Sequence, residues 1–392
     1  MNSQPRESNS RILVLWEAPD HAPIAARIAV AGDFLPAGAL QFPAGSGWRE
    51  MAKNLEGYFD DVDVSCANLE APVDVAGLKP RRLTGIGEIV SAPVAALDFL
   101  ERIKCGPVSI ANNHSFDFGA VGVARTRDAI SQRGLHPFGA GRSLDGAPEI
   151  SIWQGPGEVR VGFWAAAKTA TDFATRSTAG IEPATPDRAR IALAQMKSEG
   201  VNFSIALLHA GCLRTNRPDP EDVRLLDSVA NCGFDVTAAS HSHRIAGYKR
   251  LPHTLESPRF CFYGLGSLLS GYIANSLERE GLLVAAGVSN QGNLVRIEVR
   301  PVWLDEKGFG SIPSRDAGRI ILDRFLSLSS EIAEGTFEQL FYRDVTPGLV
   351  RLYLRDADMA FREGGIRGLV RKAARLRGRH IRRLVYKVIR CA

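Results

Sequence analysis

The most constraining feature of this chain is a recurring unit: a short apolar run of β type that ends in polar or ionisable residues and gives way to helical periodicity. Residues 28–31 lead into Gly32 and Asp33, residues 62–67 into Asn68, and residues 108–111 into Asn112. The unit returns at residues 161–165, at 205–208 before His209, and at 236–239 before Ser240 and His241. Apolar side chains at helical spacing fill the intervals at 94–103, 123–130, 191–196 and 223–229. Strands alternating with helices predict an α/β layered domain. Polar residues directly after such strands gather at one sheet edge, where α/β proteins bind ligands.

Beyond His243 the texture changes. Residues 260–263, 281–288 and 294–303 read as strands, the last two joined by a turn at 289–293, and from about Ser314 the chain is mostly helical. This reading divides the chain into a loose polar arm over 1–22, a main domain over 23–312 and a helical extension over 313–392 that ends in a basic tail.

Charge is distributed unevenly along these parts. The formal net charge is +5, yet residues 366–392 carry ten basic residues and no acidic one, which leaves the body at −5. Ile366, Leu369, Val370, Ala373, Leu376 and Ile381 recur at roughly helical spacing among those arginines. A basic amphipathic helix of this kind suits an anionic membrane surface or an acidic partner such as a capsule-synthesis protein. No aromatic stacking platform accompanies the arginines, which counts against nucleic acid. Scattered cysteines suit a reducing compartment. There is no apolar core of signal-peptide type and no stretch near the ~18 apolar residues of a membrane span. The expected location is cytoplasmic, peripheral at the membrane through the tail.

Four histidines, His114, His209, His241 and His243, come at or just after the ends of apolar runs, among Asp33, Asn68, Glu70, Asn112, Asn113 and Asp117. Imidazole, carboxylate and amide oxygen form the ligand set of one or two divalent metals, and strand ends supply a rigid frame. His241 and His243, two apart in an extended segment, project to the same side. Plainer roles exist for each residue taken singly. Asp33 suits a turn after Gly32, Asn112 and Asn113 suit a helix cap, and a lone histidine after a strand is often a hydrogen-bonded structural residue. Recurrence at successive strand ends favours the shared site.

The runs AGDFLPAG (31–38), NLEAPV (68–73), ANNHSFDFGAVGVARTRDAI (111–130), FGAGRS (138–143), LLHAG (207–211), GFDVTAASHSHR (233–244) and FYGLGSLLS (262–270) stand in the order of the CapA family's motifs. Over residues 28–270 the chain resembles that family, the capsule and poly-gamma-glutamate synthesis proteins with a calcineurin-like metallophosphoesterase fold. The resemblance implies a four-layer α/β/β/α sandwich with one or two divalent ions (Mn, Zn, Fe or Mg) between the edges of its two sheets. It implies Asp33, Glu70, Asn113, His209, His241 and His243 as metal ligands and His114 as the catalytic imidazole. Asp117 joins His114 in the catalytic group, and Asn68 and Asp117 orient their neighbours. Asn68, with Arg214 and Arg244, is also expected on the substrate side. Arg217 is a further candidate, since guanidinium groups pair with phosphate or carboxylate.

The chain departs from the pattern at several positions. Leu35 stands where the wider superfamily has histidine, Ala210 replaces an aromatic residue, and Cys212 and Leu213 stand where a glutamate is usual. Ser242 and Ser267 replace the usual proline and asparagine. The expected function is metal-dependent hydrolysis, of a phosphoester first, in the synthesis or processing of an anionic cell-surface polymer. The alternative is a non-catalytic accessory protein of capsule polymer synthesis with a vestigial metal site.

Overall fold

The computed structural model of the chain describes residues 11–19, 22–38, 47–81, 89–251 and 258–345, with Arg6, Glu7, Leu40, Pro347, Gly348 and Gly365. The basic tail expected over 366–392 lies outside the described residues.

The strand Phe203–His209 shows how the sequence pattern becomes a layer. It is buried along its whole length. Phe203, Ile205 and Leu207 join the larger core, which also holds Ile28, Val30 and Val284 of the other sheet. Ala206 and Leu208 point the other way, into a second core with Leu226 and Val229 of an outer helix. A strand covered on both faces needs a continuous apolar run, which is what the sequence has there. His209 continues the row of Phe203, Ile205 and Leu207 and so faces the opposite sheet.

Among the described residues the strands form a ten-stranded sheet, a six-stranded sheet and a two-stranded ribbon. In the larger sheet Ala26–Leu35, Val64–Leu69, Cys105–Ser109 and His136–Phe138 run parallel in that order. Glu280–Val288 and Leu294–Leu304 extend it antiparallel on the other side. In the smaller sheet Arg160–Ala167, Phe203–His209, Val236–Ser240 and Arg259–Phe262 are parallel. The helices Leu97–Arg102 and Gly119–Gln132 contact strands of the larger sheet, and Pro186–Ser198 and Pro220–Ala230 contact strands of the smaller. The last two start at side-chain caps, Thr185 and Asp219, each followed by proline. The result is the α/β/β/α sandwich that the resemblance implied.

Two parts of the expected division differ. Within the arm expected over 1–22, Leu13–Glu17 is a strand antiparallel to Leu294–Leu304, with Leu13 to Trp16 buried. Four adjacent apolar residues are costly to leave in water, and the exposed edge of the sheet offers them cover. Within the extension expected from residue 313, helix Arg315–Ala333 buries Ile321, Leu322 and Phe325 in the main core. Phe325 stacks on Tyr248 with ring centroids 5.3 Å apart. Arg217 is bound to this end of the fold, 2.7 and 2.9 Å from the carboxylate oxygens of Glu331 and 3.1 Å from Asp344.

One glycine is needed for the architecture of the site. A Cβ on Gly32 would lie 2.1 Å from the carbonyl oxygen of Gly266. Its absence lets Ser267–Ser270 pair alongside Asp33. The strand continues through Asp33 to Leu35, so Asp33 occupies no turn.

Candidate metal centre

Strand register brings the predicted residues together. Asp33 is level with Asn68, and Asn68 with Ser109, across three parallel strands. Glu70 follows directly, its N–H donating to the Phe34 carbonyl at 2.9 Å. From the other sheet His209 ends its strand level with Ser240, the residue before His241. Asp33, Glu70, His209 and His241 are all buried, and His243 is half-buried.

Their donor atoms converge. Glu70 Oε1 lies 3.3 Å from His209 Nε2 and 4.0 Å from His241 Nδ1, while Oε2 lies 3.8 Å from His243 Nε2. Asp33 Oδ1 is 3.6 Å from His209 Nδ1, and Oδ2 is 3.4 Å from His243 Nδ1. Two overlapping groups, Glu70 with His209 and His241, and Asp33 with Glu70 and His243, each hold their donor atoms within 4.8 Å. Glu70 is common to both. Asn113 joins them, its Oδ1 2.6 Å from His209 Nε2.

Two observations show that these residues fit a divalent cation. Glu70 Oε2 and His241 Nδ1 are buried without a hydrogen-bond partner. Leaving such an atom unpaired costs about 1–3 kcal/mol, which coordination would remove. The mixed oxygen and nitrogen donors also suit first-row divalent metals. Backbone strain points the same way. His241 has φ +120° and His243 φ +54°, values rare for residues with a side chain and typical of functional sites. The loop is held by the His241 N–H donating to Asp33 Oδ2 at 2.8 Å and by the Arg214 N–H donating to the Ser242 carbonyl at 2.9 Å.

The ionisation of the cluster follows from its charges. Burial opposes an imidazolium at His209, but Glu70 and Asp33 outweigh it and raise its pKa to about 9. Burial, with charged His209 beside it, pushes His241 down to about 4. Burial also opposes a charge on Glu70, yet His243 and His209 hold its carboxyl well below the ordinary range.

His114 stands on the loop after Cys105–Ser109. Its Nδ1 is 2.9 Å from Asp117 Oδ2, and the same oxygen accepts the Val90 N–H at 2.9 Å. Asn112 and Asn113 do not cap the next helix, which begins at Gly119 with Phe118 at its N-cap position and no side-chain cap. Asn68 lies buried behind Asp33, donating to Oδ1 at 2.7 Å. Arg214 and Arg244 flank the His243 loop and stand 3.7 and 3.8 Å from the same oxygen of buried Glu278. Three participants escaped the sequence reading. Ser267 Oγ lies 3.2 Å from His243 Nδ1, in the position noted only as a departure. Ser109 signals itself only as a polar residue inside the apolar run 108–111, and strand register sets it level with Asn68. Glu278 had no signal, since it lies in a short turn outside every motif.

A family model described as "Bacterial capsule synthesis protein PGA_cap" matches residues 27–272. The chain belongs to this family. The "Capsule biosynthesis protein CapA" of Bacillus anthracis is 24% identical over 223 residues, 55% of this chain and 53% of that protein. The "PGA biosynthesis protein CapA" of Bacillus subtilis (strain 168) is 25% identical over 207 residues, 50% of each. The chain thus spans about half the length of these curated relatives. Among solved structures, the calcineurin-like phosphoesterase YfkN from Bacillus subtilis aligns with TM-score 0.43 and 12% identity, covering 80% of this chain and 100% of that one.

For this PGA_cap protein, proton competition gives a first test. Metals bind neutral imidazole, so an ion held here would have to displace the proton that Glu70 and Asp33 favour on His209. Apparent affinity for such an ion is therefore expected to rise with pH up to about 9, by up to about tenfold per unit for one displaced proton, and to level off above it. Titration calorimetry in buffers of different ionisation enthalpy reads both affinity and proton release. A flat profile with no proton released would contradict the charge state assigned to His209.

Proposed function

We propose that this protein is a metal-dependent hydrolase that acts on an anionic substrate in capsular or poly-gamma-glutamate polymer synthesis, with a phosphoester as the bond cleaved. The observation that carries the reading is Glu70, shared by two donor groups and left, together with His241, with a buried unpaired atom. Membership of a capsule-synthesis family supports the polymer context. Asp33, Glu70, Asn113, His209, His241 and His243 would hold one or two divalent ions. Bound there, such ions would supply Lewis-acid stabilisation of a phosphoryl group and lower the pKa of water. His114 turns Nδ1 to Asp117, which leaves Nε2 to hold the proton given to the leaving oxygen. Arg214 and Arg244 would pair with further negative charge on the substrate.

The test is turnover of chromogenic phosphomonoesters and phosphodiesters, beside poly-gamma-glutamate, with Mn²⁺ or Zn²⁺ added. Chelator-sensitive phosphoester hydrolysis is expected. Cleavage of the polymer alone would move the bond to an amide, and no turnover of either would end the enzyme reading. A non-catalytic accessory protein is the second reading. It is favoured by exposed Leu213 and half-buried Cys212 where the resemblance leads one to expect an acid.

A further inference from the structure

Asn112 is fully buried, and two partners leave its amide only one orientation. The Leu69 carbonyl can only accept, so Asn112 Nδ2 faces it at 2.8 Å. The His114 N–H can only donate, so Asn112 Oδ1 faces it at 3.1 Å. That orientation propagates. Nδ2 also reaches Asn68 Oδ1 at 3.1 Å, and Ser109 Oγ donates to the same oxygen at 3.3 Å. Asn68 must then turn its own Nδ2 to Asp33 Oδ1, 2.7 Å away. One amide thereby ties together the loop of Asn113 and His114, the main chain just ahead of Glu70, and the carboxylate of Asp33.

We infer that Asn112 is a positioning residue that locks the metal-binding carboxylates and the proton-donor loop into a single geometry. The side chain of Asn112 hydrogen-bonds to Leu69, Asn68, Ser115 and His114 and to none of the six metal-ligand residues, so its effect on metal is transmitted through Asn68 and the loop. The inference rests on the metal-centre reading above.

Two variants of the full chain test it. Asn112→Asp has the same shape and keeps an acceptor for the His114 N–H, but sets oxygen against the Leu69 carbonyl and Asn68 Oδ1. Asn112→Ala removes both arms. Partners one shell out from a metal typically contribute 10- to 100-fold to its affinity; Asn112 acts through such a partner, Asn68, so titration calorimetry with Mn²⁺ is expected to show a weakening at the low end of that range, about tenfold, in each variant. Turnover of a phosphodiester should also fall through kcat with KM unchanged, and fall further in Asn112→Ala. A purely structural asparagine would lower the unfolding temperature while the folded protein bound Mn²⁺ as before. If the natural protein binds Mn²⁺ and either folded variant matches it within about twofold, this inference fails and the metal reading stands. If the natural protein binds none, both fail. Loss of folded protein in both variants would assign Asn112 to the fold and overturn the proposal.

Discussion

His209→Ala is expected to weaken divalent-metal binding by more than about 100-fold, beyond the range for residues that act from one shell out. The expectation follows from its position. The ring is buried between the two sheets, with Nε2 within reach of Glu70 and Asn113 and Nδ1 facing Asp33 and Asn68. No exposed side chain can take over that place. The same ring supplies part of the positive charge that keeps Glu70 ionised. Without it the two carboxylates face each other with less compensation, so the metal-free variant should also melt at lower temperature. Calorimetric titration with Mn²⁺ and Zn²⁺, beside thermal melts with and without metal, separates the effects. A variant that melts early but still gains the natural protein's metal-induced stabilisation would remove His209 from the ligand set.

His114→Ala should separate binding from chemistry. Its ring is tied to Asp117 and is half-buried, and neither donor group within 4.8 Å includes it. Metal affinity should therefore stay within about threefold of the natural protein, while phosphoester turnover falls by 10²- to 10⁴-fold, the usual worth of a positioned general acid. The loss should shrink for substrates with a good leaving group, which needs no proton. Equal loss for good and poor leaving groups would mean that His114 acts on binding or position, and full turnover would dismiss it.

How far the sequence could be read depended on the range of the interaction involved. Asp33, Glu70, His209, His241 and His243 were legible because each stands at or just after an apolar run of strand type, a local pattern, and α/β domains gather such strand ends at one sheet edge. The amide relay through Asn112 was not, because its partners Leu69 and Asn68 are 43 and 44 residues away. From sequence alone a helix cap explained the pair of asparagines equally well. The pairing of Arg217 was hidden for a related reason: its partner Glu331 lies 114 residues on, in a helix read as an extension. The strand Leu13–Glu17 was lost in polar surroundings, being short and dependent on the far-off Leu294–Leu304 for its pairing.

The most direct measurement is the divalent-metal content of the purified natural chain, by elemental analysis after dialysis against Mn²⁺ or Zn²⁺ and then against metal-free buffer. The two donor groups that share Glu70 predict at least one tightly held ion per chain, lost on treatment with chelator and regained on adding metal. A chain that retains no stoichiometric metal at pH 8, where the His209 proton is displaceable, would contradict the account at its centre.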